Sequence, residues 1–127
     1  MLGKSTRVGA LFGSFLGSAI FSSAVAADAP DYEFAAPPTT SANLIYRVNR
    51  TTGEMSACQF STRGATLGST ICFPAGEGAG PQVAGDYGLA SSNMAQEPGL
   101  FRVNRRTGET SVCYILNDRV VCTAPSY

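Results

Sequence analysis

Two stretches of this chain repeat one another almost residue for residue. Residues 47–58 read RVNRTTGEMSAC and residues 102–113 read RVNRRTGETSVC, so nine of the twelve aligned positions are identical at an offset of 55. An internal repeat of this kind indicates one small structural unit used twice. Each copy is too short to bury an apolar face by itself, so the sequence predicts that the two copies pack against each other.

Each copy has the pattern of a β-hairpin. Alternating apolar residues lead into Arg-Thr-Thr-Gly or Arg-Arg-Thr-Gly, and Gly53 and Gly108 suit the left-handed position of a turn. Such a turn pairs Tyr46 with Ala57 in the first copy and Phe101 with Val112 in the second. One face of each hairpin then carries these apolar residues, and the other carries the Arg, Ser and Cys side chains of the repeat.

A second turn follows the cysteine of each copy. Residues 113–122, CYILNDRVVC, are symmetric about their central Asn-Asp pair, and a two-residue turn there places Cys113 opposite Cys122 at a closely spaced pair. By analogy, Cys58 pairs with Cys72 around a longer loop over 61–69. Four cysteines allow three pairings, so the two disulfides are a prediction. A zinc site formed by the four cysteines is disfavoured, because zinc ligands usually come in tight C-x-x-C pairs, and no metal site is expected.

The hairpin pattern resembles the repeats of bacterial β-propellers of the quinoprotein type. Residues 46–54 and 101–109 carry the resemblance, with alternating residues followed by Thr-Gly-Glu. It implies a strand, a turn and a strand within a blade, and no catalytic residue. Two copies are fewer than the roughly four blades of the smallest closed propeller, and a cysteine stands where such blades often have a bulky apolar residue.

We therefore predict an all-β fold made of a small duplicated β-meander. Two three-stranded, disulfide-stapled units pack as a sandwich or as one curled antiparallel sheet, through the faces bearing Tyr46 and Val48 and bearing Phe101, Val103 and Tyr114. The strands are expected at 44–49, 54–60, 69–73, 99–104, 109–116 and 119–123. The predicted organisation is a signal peptide (1–26), a flexible Pro/Ala-rich tether (27–43) and a β domain (44–127), the last divided into repeat 1 (44–73), a connector (74–98) and repeat 2 (99–123). Residues 82–84 or 88–90 could add one short edge strand.

The N-terminus has the features of a secretory signal. Lys4 and Arg7 precede an uncharged run over 8–26 that ends in Ala-Val-Ala-Ala, an A-x-A-like cleavage site. An uncleaved membrane anchor is the alternative, because the run is about as long as a membrane span requires. We expect a periplasmic or extracellular protein, where disulfides are permitted. The His-free, Gly/Ala-rich composition is typical of a bacterial source.

Charge and composition exclude several function classes. Removing Lys4 and Arg7 from the nine basic residues leaves seven against nine acidic ones, so a nucleic-acid partner, which needs excess positive charge, is not expected. The chain has no His, which removes Ser-His-Asp and Cys-His sites. No cofactor is expected either.

Two sets of residues remain as candidates for a site. The repeat-equivalent carboxylates Glu54 and Glu109 could face each other across a pseudo-twofold axis, as paired acids do in glycosidases, or each could simply follow its turn glycine. The hairpins are also locally basic, and their arginines could form a binding patch or a solvated sheet face: Arg47, Arg50, Arg102, Arg105 and Arg106.

The expected function is that of an exported, non-enzymatic envelope or secreted module that binds a protein or a polysaccharide of the cell envelope. A secreted enzyme inhibitor that presents the loop 61–69 or 74–98 is the alternative, and a hydrolase using Glu54 and Glu109 is a remote one. A membrane partner is expected only if the signal is not cleaved. The oligomeric state stays open.

Overall fold

The computed structural model describes residues 3, 9–14, 16–24, 29–64 and 66–127. Within these residues the fold is all-β, with two four-stranded antiparallel sheets and no helix. Parts of the predicted signal, including Lys4, Arg7 and residues 25–26, lie outside the described residues, as do residues 27–28 of the predicted tether. Residues 9–14 and 16–24 belong to neither helix nor strand.

Each sheet is a meander whose strands follow one another in chain order. The first sheet has the order β1-β2-β3-β4 and the second the order β5-β6-β7-β8. The strands are β1 (Tyr32–Ala35), β2 (Leu44–Asn49), β3 (Met55–Ser61), β4 (Ser69–Phe73), β5 (Tyr87–Ala90), β6 (Leu100–Asn104), β7 (Thr110–Leu116) and β8 (Arg119–Cys122).

The predicted turns and registers are confirmed. Gly53 and Gly108 have φ values of 73° and 79°, the left-handed conformation that glycine adopts without strain. Tyr46 lies opposite Ala57 and Phe101 opposite Val112. At the Asn-Asp turn, both Asn117 (φ 50°) and Asp118 (φ 60°) are left-handed, as a two-residue type I′ hairpin requires.

Both predicted disulfides are confirmed. Cys58 and Cys72 are paired across β3 and β4 and are bonded, and Cys113 and Cys122 are paired across β7 and β8 and are bonded. No cysteine of the chain is free. Because each bridge joins neighbouring strands at directly opposed positions, it fixes the register of the hairpin that it closes.

Each sheet has a fourth strand, where the sequence predicted three. β1 (Tyr32–Ala35) lies within the segment predicted to be a flexible tether, and it pairs with β2. β5 (Tyr87–Ala90) lies in the predicted connector, at the second of the two places considered for an edge strand, and pairs with β6. Backbone pairing with an adjacent hairpin orders these short segments, although their composition resembles that of linkers.

The rest of the connector is also held by backbone hydrogen bonds. Residues 74–77 run along the outer edge of β8, where the amide of Val120 donates to Pro74 O (3.0 Å) and the amide of Cys122 to Glu77 O (2.9 Å). Further along, the amides of Gln82 and Gly85 donate to Thr52 O and Thr51 O in the first sheet. The connector therefore joins the two sheets and protects an edge.

The two sheets bury opposite faces of the repeat. Face A is the face that carries Tyr46 and Val48 in the first sheet and their equivalents Phe101 and Val103 in the second. Face B is the opposite face, which carries the repeated arginine and the cysteines. The first sheet buries face A: Tyr46, Val48, Met55 and Ala57 are fully buried. The second sheet buries face B, with the following residues in the shared core or beside it: Leu100, Arg102, Asn104, Ser111, Cys113, Val120 and Cys122.

The expectation that the Phe101, Val103 and Tyr114 face would pack on Tyr46 and Val48 is therefore wrong. Phe101 and Val103 are only half-buried and Tyr114 is exposed. Face B of the second sheet can enter the core because Leu100, Val120 and the disulfide supply apolar surface there. The guanidinium of Arg102 on that face donates a hydrogen bond to Gly53 O of the first sheet's hairpin turn.

Candidate functional site

The five candidate arginines do not form one patch. Arg47 is exposed on β2, and Arg106 is exposed in the turn between β6 and β7. Arg50 and Arg105 lie in ion pairs, and Arg102 is buried with 3% of its surface exposed. Since Arg102 faces the other sheet and is almost fully buried, it does not belong to an exposed basic patch.

Arg102 links the two sheets through backbone carbonyl oxygens. Its guanidinium donates to Gly53 O in the first hairpin turn (2.9 Å), to Gly78 O in the connector (3.1 Å) and to the Ser111 hydroxyl (3.4 Å). Burial lowers the pKa of Arg102 below its ordinary value, although an arginine stays charged in proteins. The equivalent residue of the first copy, Arg47, lies over the ring of Tyr32 at 5.1 Å from its centroid.

A second cluster of charges lies where the free edges of β1 and β5 approach each other. Arg50 pairs with Asp31 (3.2 Å) and Asp86 (3.6 Å), and Arg105 pairs with Glu33 (2.7 Å) and Asp86 (3.3 Å). Arg50 with Asp31 and Arg105 with Asp86 are equivalent pairs of the repeat at the offset of 55. The Arg50–Asp86 and Arg105–Glu33 pairs connect the two sheets.

Glu33 is the carboxylate most affected by this cluster. Burial would raise its pKa, but its side chain accepts hydrogen bonds from Arg105 and from the amide of Leu89, and it feels the charges of Arg105 and Arg50. The net result is a pKa of Glu33 below its ordinary value. The cluster is thus an inter-sheet contact in which the carboxylate is held in its charged form.

The two candidate acids Glu54 and Glu109 do not form a facing pair. Because face A of one sheet packs on face B of the other, no pseudo-twofold axis relates the sheets, and equivalent residues do not face each other. Glu109 accepts a hydrogen bond from Thr107 and lines a cavity of about 120 Å³ beside Arg102 and Ser111. Glu54 does not line that cavity. The volume of the cavity is also well below the usual 300–1,000 Å³ of a small-molecule site.

Face B of the first sheet exposes a group of large apolar side chains. The exposed fractions are 39% for Tyr32, 56% for Phe34, 43% for Ile45 and 52% for Phe60. Register places Ile45 opposite Cys58 and Phe34 opposite Arg47, so these residues share one surface. Large exposed apolar side chains grouped in this way are a feature of protein interaction surfaces.

Face A of the second sheet is the other incompletely buried surface. Phe101, Val103 and Val112 are half-buried there, and Tyr114 is 37% exposed. A largely apolar cavity of about 190 Å³ lies at one end of it, between Phe101, Val112 and Met94.

Sequence reasoning missed the contribution of β1 to the first of these surfaces. Tyr32 and Phe34 fall in the predicted tether because two prolines follow closely. The signal that locates them is the repeat itself, since Asp31-Tyr32 recurs as Asp86-Tyr87 at the same offset of 55. Extending the alignment to these residues would have placed Tyr32–Ala35 and Tyr87–Ala90 at equivalent positions before the two hairpins.

Several other features bear on function. The described residues contain no cluster of three or more metal-ligating side chains, and they form no helix long and apolar enough to cross a membrane. The two disulfides indicate an oxidising, exported environment.

Comparison with protein-family models, with curated proteins and with solved structures finds no match.

Proposed function

We propose that this protein is an exported, non-enzymatic module that binds a protein through face B of its first sheet. The observation that carries the proposal is the exposure of Tyr32, Phe34, Ile45 and Phe60 on one stapled sheet face. Interface cores are enriched in aromatic residues and arginine, and Arg47 lies among these side chains.

A protein suits this surface better than a polysaccharide. The rings of Tyr32 and Phe34 are tilted by 49° with centroids 6.5 Å apart, so they do not form a single flat platform on which a sugar ring could stack. A packed protein surface can follow such relief, because side chains of a partner interdigitate with it.

Export and the lack of catalysis belong to the same proposal. The charged start, the uncharged run and the Ala-rich end of residues 1–26 support a cleaved signal, and the disulfides agree with an oxidising compartment. The separation of Glu54 from the Glu109 cavity argues against a two-carboxylate hydrolase. Mass spectrometry of the exported chain tests the signal, since we expect an N-terminus at or close to residue 27.

Site-specific photocrosslinking tests the binding face. A photoreactive residue at position 45 should crosslink a protein in producing cells, and the same residue at position 67 should not. Leu67 is the comparison position because it is 92% exposed and lies in the 61–69 loop, on none of the strands that form face B. Crosslinks to polysaccharide alone, or equal crosslinking from both positions, would contradict the proposal.

A second candidate function is inhibition of an enzyme by the 61–69 loop. The loop is closed at its base by Cys58–Cys72, and it presents Leu67 almost fully to solvent. The 74–98 segment is less suited to this role, because it is hydrogen-bonded to both sheets. Inhibition of an envelope or secreted hydrolase that is lost in Leu67→Lys and kept in Ile45→Lys would support the inhibitor over the binding-face proposal.

A further inference from the structure

The packing of the two sheets is a head-to-tail contact between two copies of one unit. Face A of the first sheet meets face B of the second. This arrangement leaves one unused face of each kind, face B of the first sheet and face A of the second. A contact between unlike faces is heterologous, and such a contact can be repeated by a further unit.

The hairpin turns show the same relationship in atomic detail. The ring of Tyr87 in the second sheet lies directly against Gly53, 2.9 Å from where a Cβ atom would stand. At the equivalent Gly108, no atom of the described residues other than its chain neighbours lies within 4 Å of that position. Tyr32, the equivalent of Tyr87, is 39% exposed. Tyr32 and Gly108, which lack this ring-to-glycine contact within the chain, therefore lie on the two opposite outer faces of the stacked sheets.

The repeated arginines Arg102 and Arg47 differ in the same way. Arg102 donates across the interface to Gly53 O. Its equivalent Arg47 is exposed, and Gly108 O receives a hydrogen bond only from the nearby Thr110 hydroxyl among the contacts of the described residues. A carbonyl oxygen has two lone pairs, so Gly108 O can accept a further donor.

Charged residues at the two unpaired faces are also complementary. Arg50 of the first sheet reaches Asp86 of the second across the interface at 3.6 Å. The equivalent partners, Arg105 and Asp31, have side chains that are 42% and 66% exposed. An Asp31 from another chain would add a carboxylate near Arg105, in the way that Asp86 adds one near Arg50.

The C-terminal tail (residues 123–127) lies beside the second sheet. In the first sheet the amide of Met55 donates to Ala79 O of the connector (2.8 Å). In the second sheet the amide of Thr110 donates to Ser126 O of the tail (2.9 Å). The tail therefore pairs with the backbone of β7 where the connector pairs with that of β3, and Val103 on face A is not fully buried.

We propose that the partner is a second copy of this chain, which docks face B of its first sheet on face A of the second sheet. In that contact Tyr32 packs on Gly108, Arg47 donates to Gly108 O, and Asp31 approaches Arg105 of the neighbouring chain. The proposal rests on the proposed function and names the partner of the same face. Repetition gives a closed ring or an open filament, and both are head-to-tail assemblies.

Two one-sided variants test this directly. Ile45→Lys places a charge on face B of the first sheet, where the equivalent Leu100 is 1% exposed in the internal contact. Val103→Lys does the same on face A of the second sheet, where the equivalent Val48 is fully buried. Leu67→Lys adds the same charge at a 92% exposed position in the loop between β3 and β4, on no strand of either face, and is the control.

The protein is purified from producing cells with both disulfides intact, and its mass is measured by light scattering and native mass spectrometry at up to about 100 μM, where an association of micromolar affinity is saturated. We expect the wild type and Leu67→Lys to be multimers and each of the other variants to be a monomer. A mixture of Ile45→Lys and Val103→Lys should give a 1:1 dimer of twice the monomer mass and nothing larger, because each chain keeps one intact face.

A monomeric wild type, or a mixture that stays monomeric, would overturn the proposal, as would a variant that still forms multimers alone. Circular dichroism checks that each variant is folded, and Val112→Lys replaces Val103→Lys if the latter is not. If the wild type is monomeric while position 45 crosslinks another protein, the second-copy inference fails and the binding-face proposal stands. If position 45 crosslinks no protein, both fail.

Discussion

The guanidinium of Arg102 donates to the carbonyl oxygen of Gly53, which lies 49 positions earlier in the chain and in the other sheet. The same residue type at the equivalent position of the first copy, Arg47, is exposed. One repeated residue therefore has two environments, and the difference follows from the head-to-tail packing of the sheets.

This pair gives a matched test of stability. Arg102→Met keeps the length of the side chain but removes the side-chain donor to Gly53 O and the shorter of the two side-chain hydrogen bonds to Gly78 O, so we expect a loss of about 2–4 kcal/mol in the free energy of unfolding. Arg47→Met should change it by no more than about 0.5 kcal/mol, as an exposed substitution usually does. Urea unfolding at protein concentrations low enough to keep the chain monomeric measures both values. Equal midpoints for the two variants would contradict a structural role of Arg102.

The local structure of the hairpins could be predicted from the sequence. The left-handed glycines, the Asn-Asp turn and the opposed cysteines each impose one register, and the registers agree with one another. Pairs such as Cys113 with Cys122 follow from turn chemistry and period-two alternation alone, and the structure has them.

The choice of buried face could not be predicted in this way. Both faces of the second sheet carry apolar side chains, and Arg102 on face B argued for solvent exposure. Its burial depends on carbonyl oxygens that the first hairpin turn and the connector supply, which is information about tertiary packing and not about the strand pattern. The exposed surface around Tyr32 was missed for a related reason, since β1 is ordered by its pairing with β2.

The two disulfides should differ in their resistance to reductant. Cys113 is fully buried and Cys122 is 8% exposed, whereas Cys72 is exposed. We expect dithiothreitol to open Cys58–Cys72 first in the folded monomer, because thiol–disulfide exchange requires access to a sulfur atom. Alkylation at timed intervals followed by peptide mass spectrometry gives the order.

Removing either bridge by paired Cys→Ala substitution should cost about 3 kcal/mol in the chain-entropy model. The Cys113–Cys122 pair should cost more than the Cys58–Cys72 pair, since its removal also leaves a gap in the core. In the dithiothreitol experiment, simultaneous opening of both bridges in the native protein would contradict the expected order. It would show that the different burial of the two bridges does not control the rate of thiol–disulfide exchange.

Glu33 should make stability depend on acid pH. Its pKa is lowered in the folded state, so its contribution is present above the ordinary pKa of 4.5 and is lost as the pH falls through the folded value. Glu33→Gln should lower the free energy of unfolding by up to about 1 kcal/mol at neutral pH, given its partly exposed ion pair with Arg105. The difference from wild type should shrink as the pH is lowered below 4.5. Thermal unfolding at a series of pH values measures it, and Glu54→Gln, at an exposed position, is the control.

Tyr46 should produce the opposite dependence at alkaline pH. Its hydroxyl donates to Pro98 O (2.8 Å), and burial, together with the nearby charge of Glu97, raises the pKa of Tyr46 from 10.0 to about 12. Because the folded pKa is raised, the stabilisation is complete below pH 10 and is lost as the pH rises towards about 12.

Tyr46→Phe removes this hydroxyl and leaves Pro98 O without its donor, so we expect a loss of about 1–2 kcal/mol at neutral pH. The difference between wild type and variant should narrow above pH 10, since only the wild type carries the titrating group. The second copy supplies the control, because Phe101 occupies the equivalent position on a half-buried face. Phe101→Tyr should change the free energy of unfolding of the monomer by no more than about 0.5 kcal/mol. A Tyr46→Phe protein as stable as wild type at neutral pH would mean that the hydrogen bond to Pro98 contributes nothing to the packing of the two sheets.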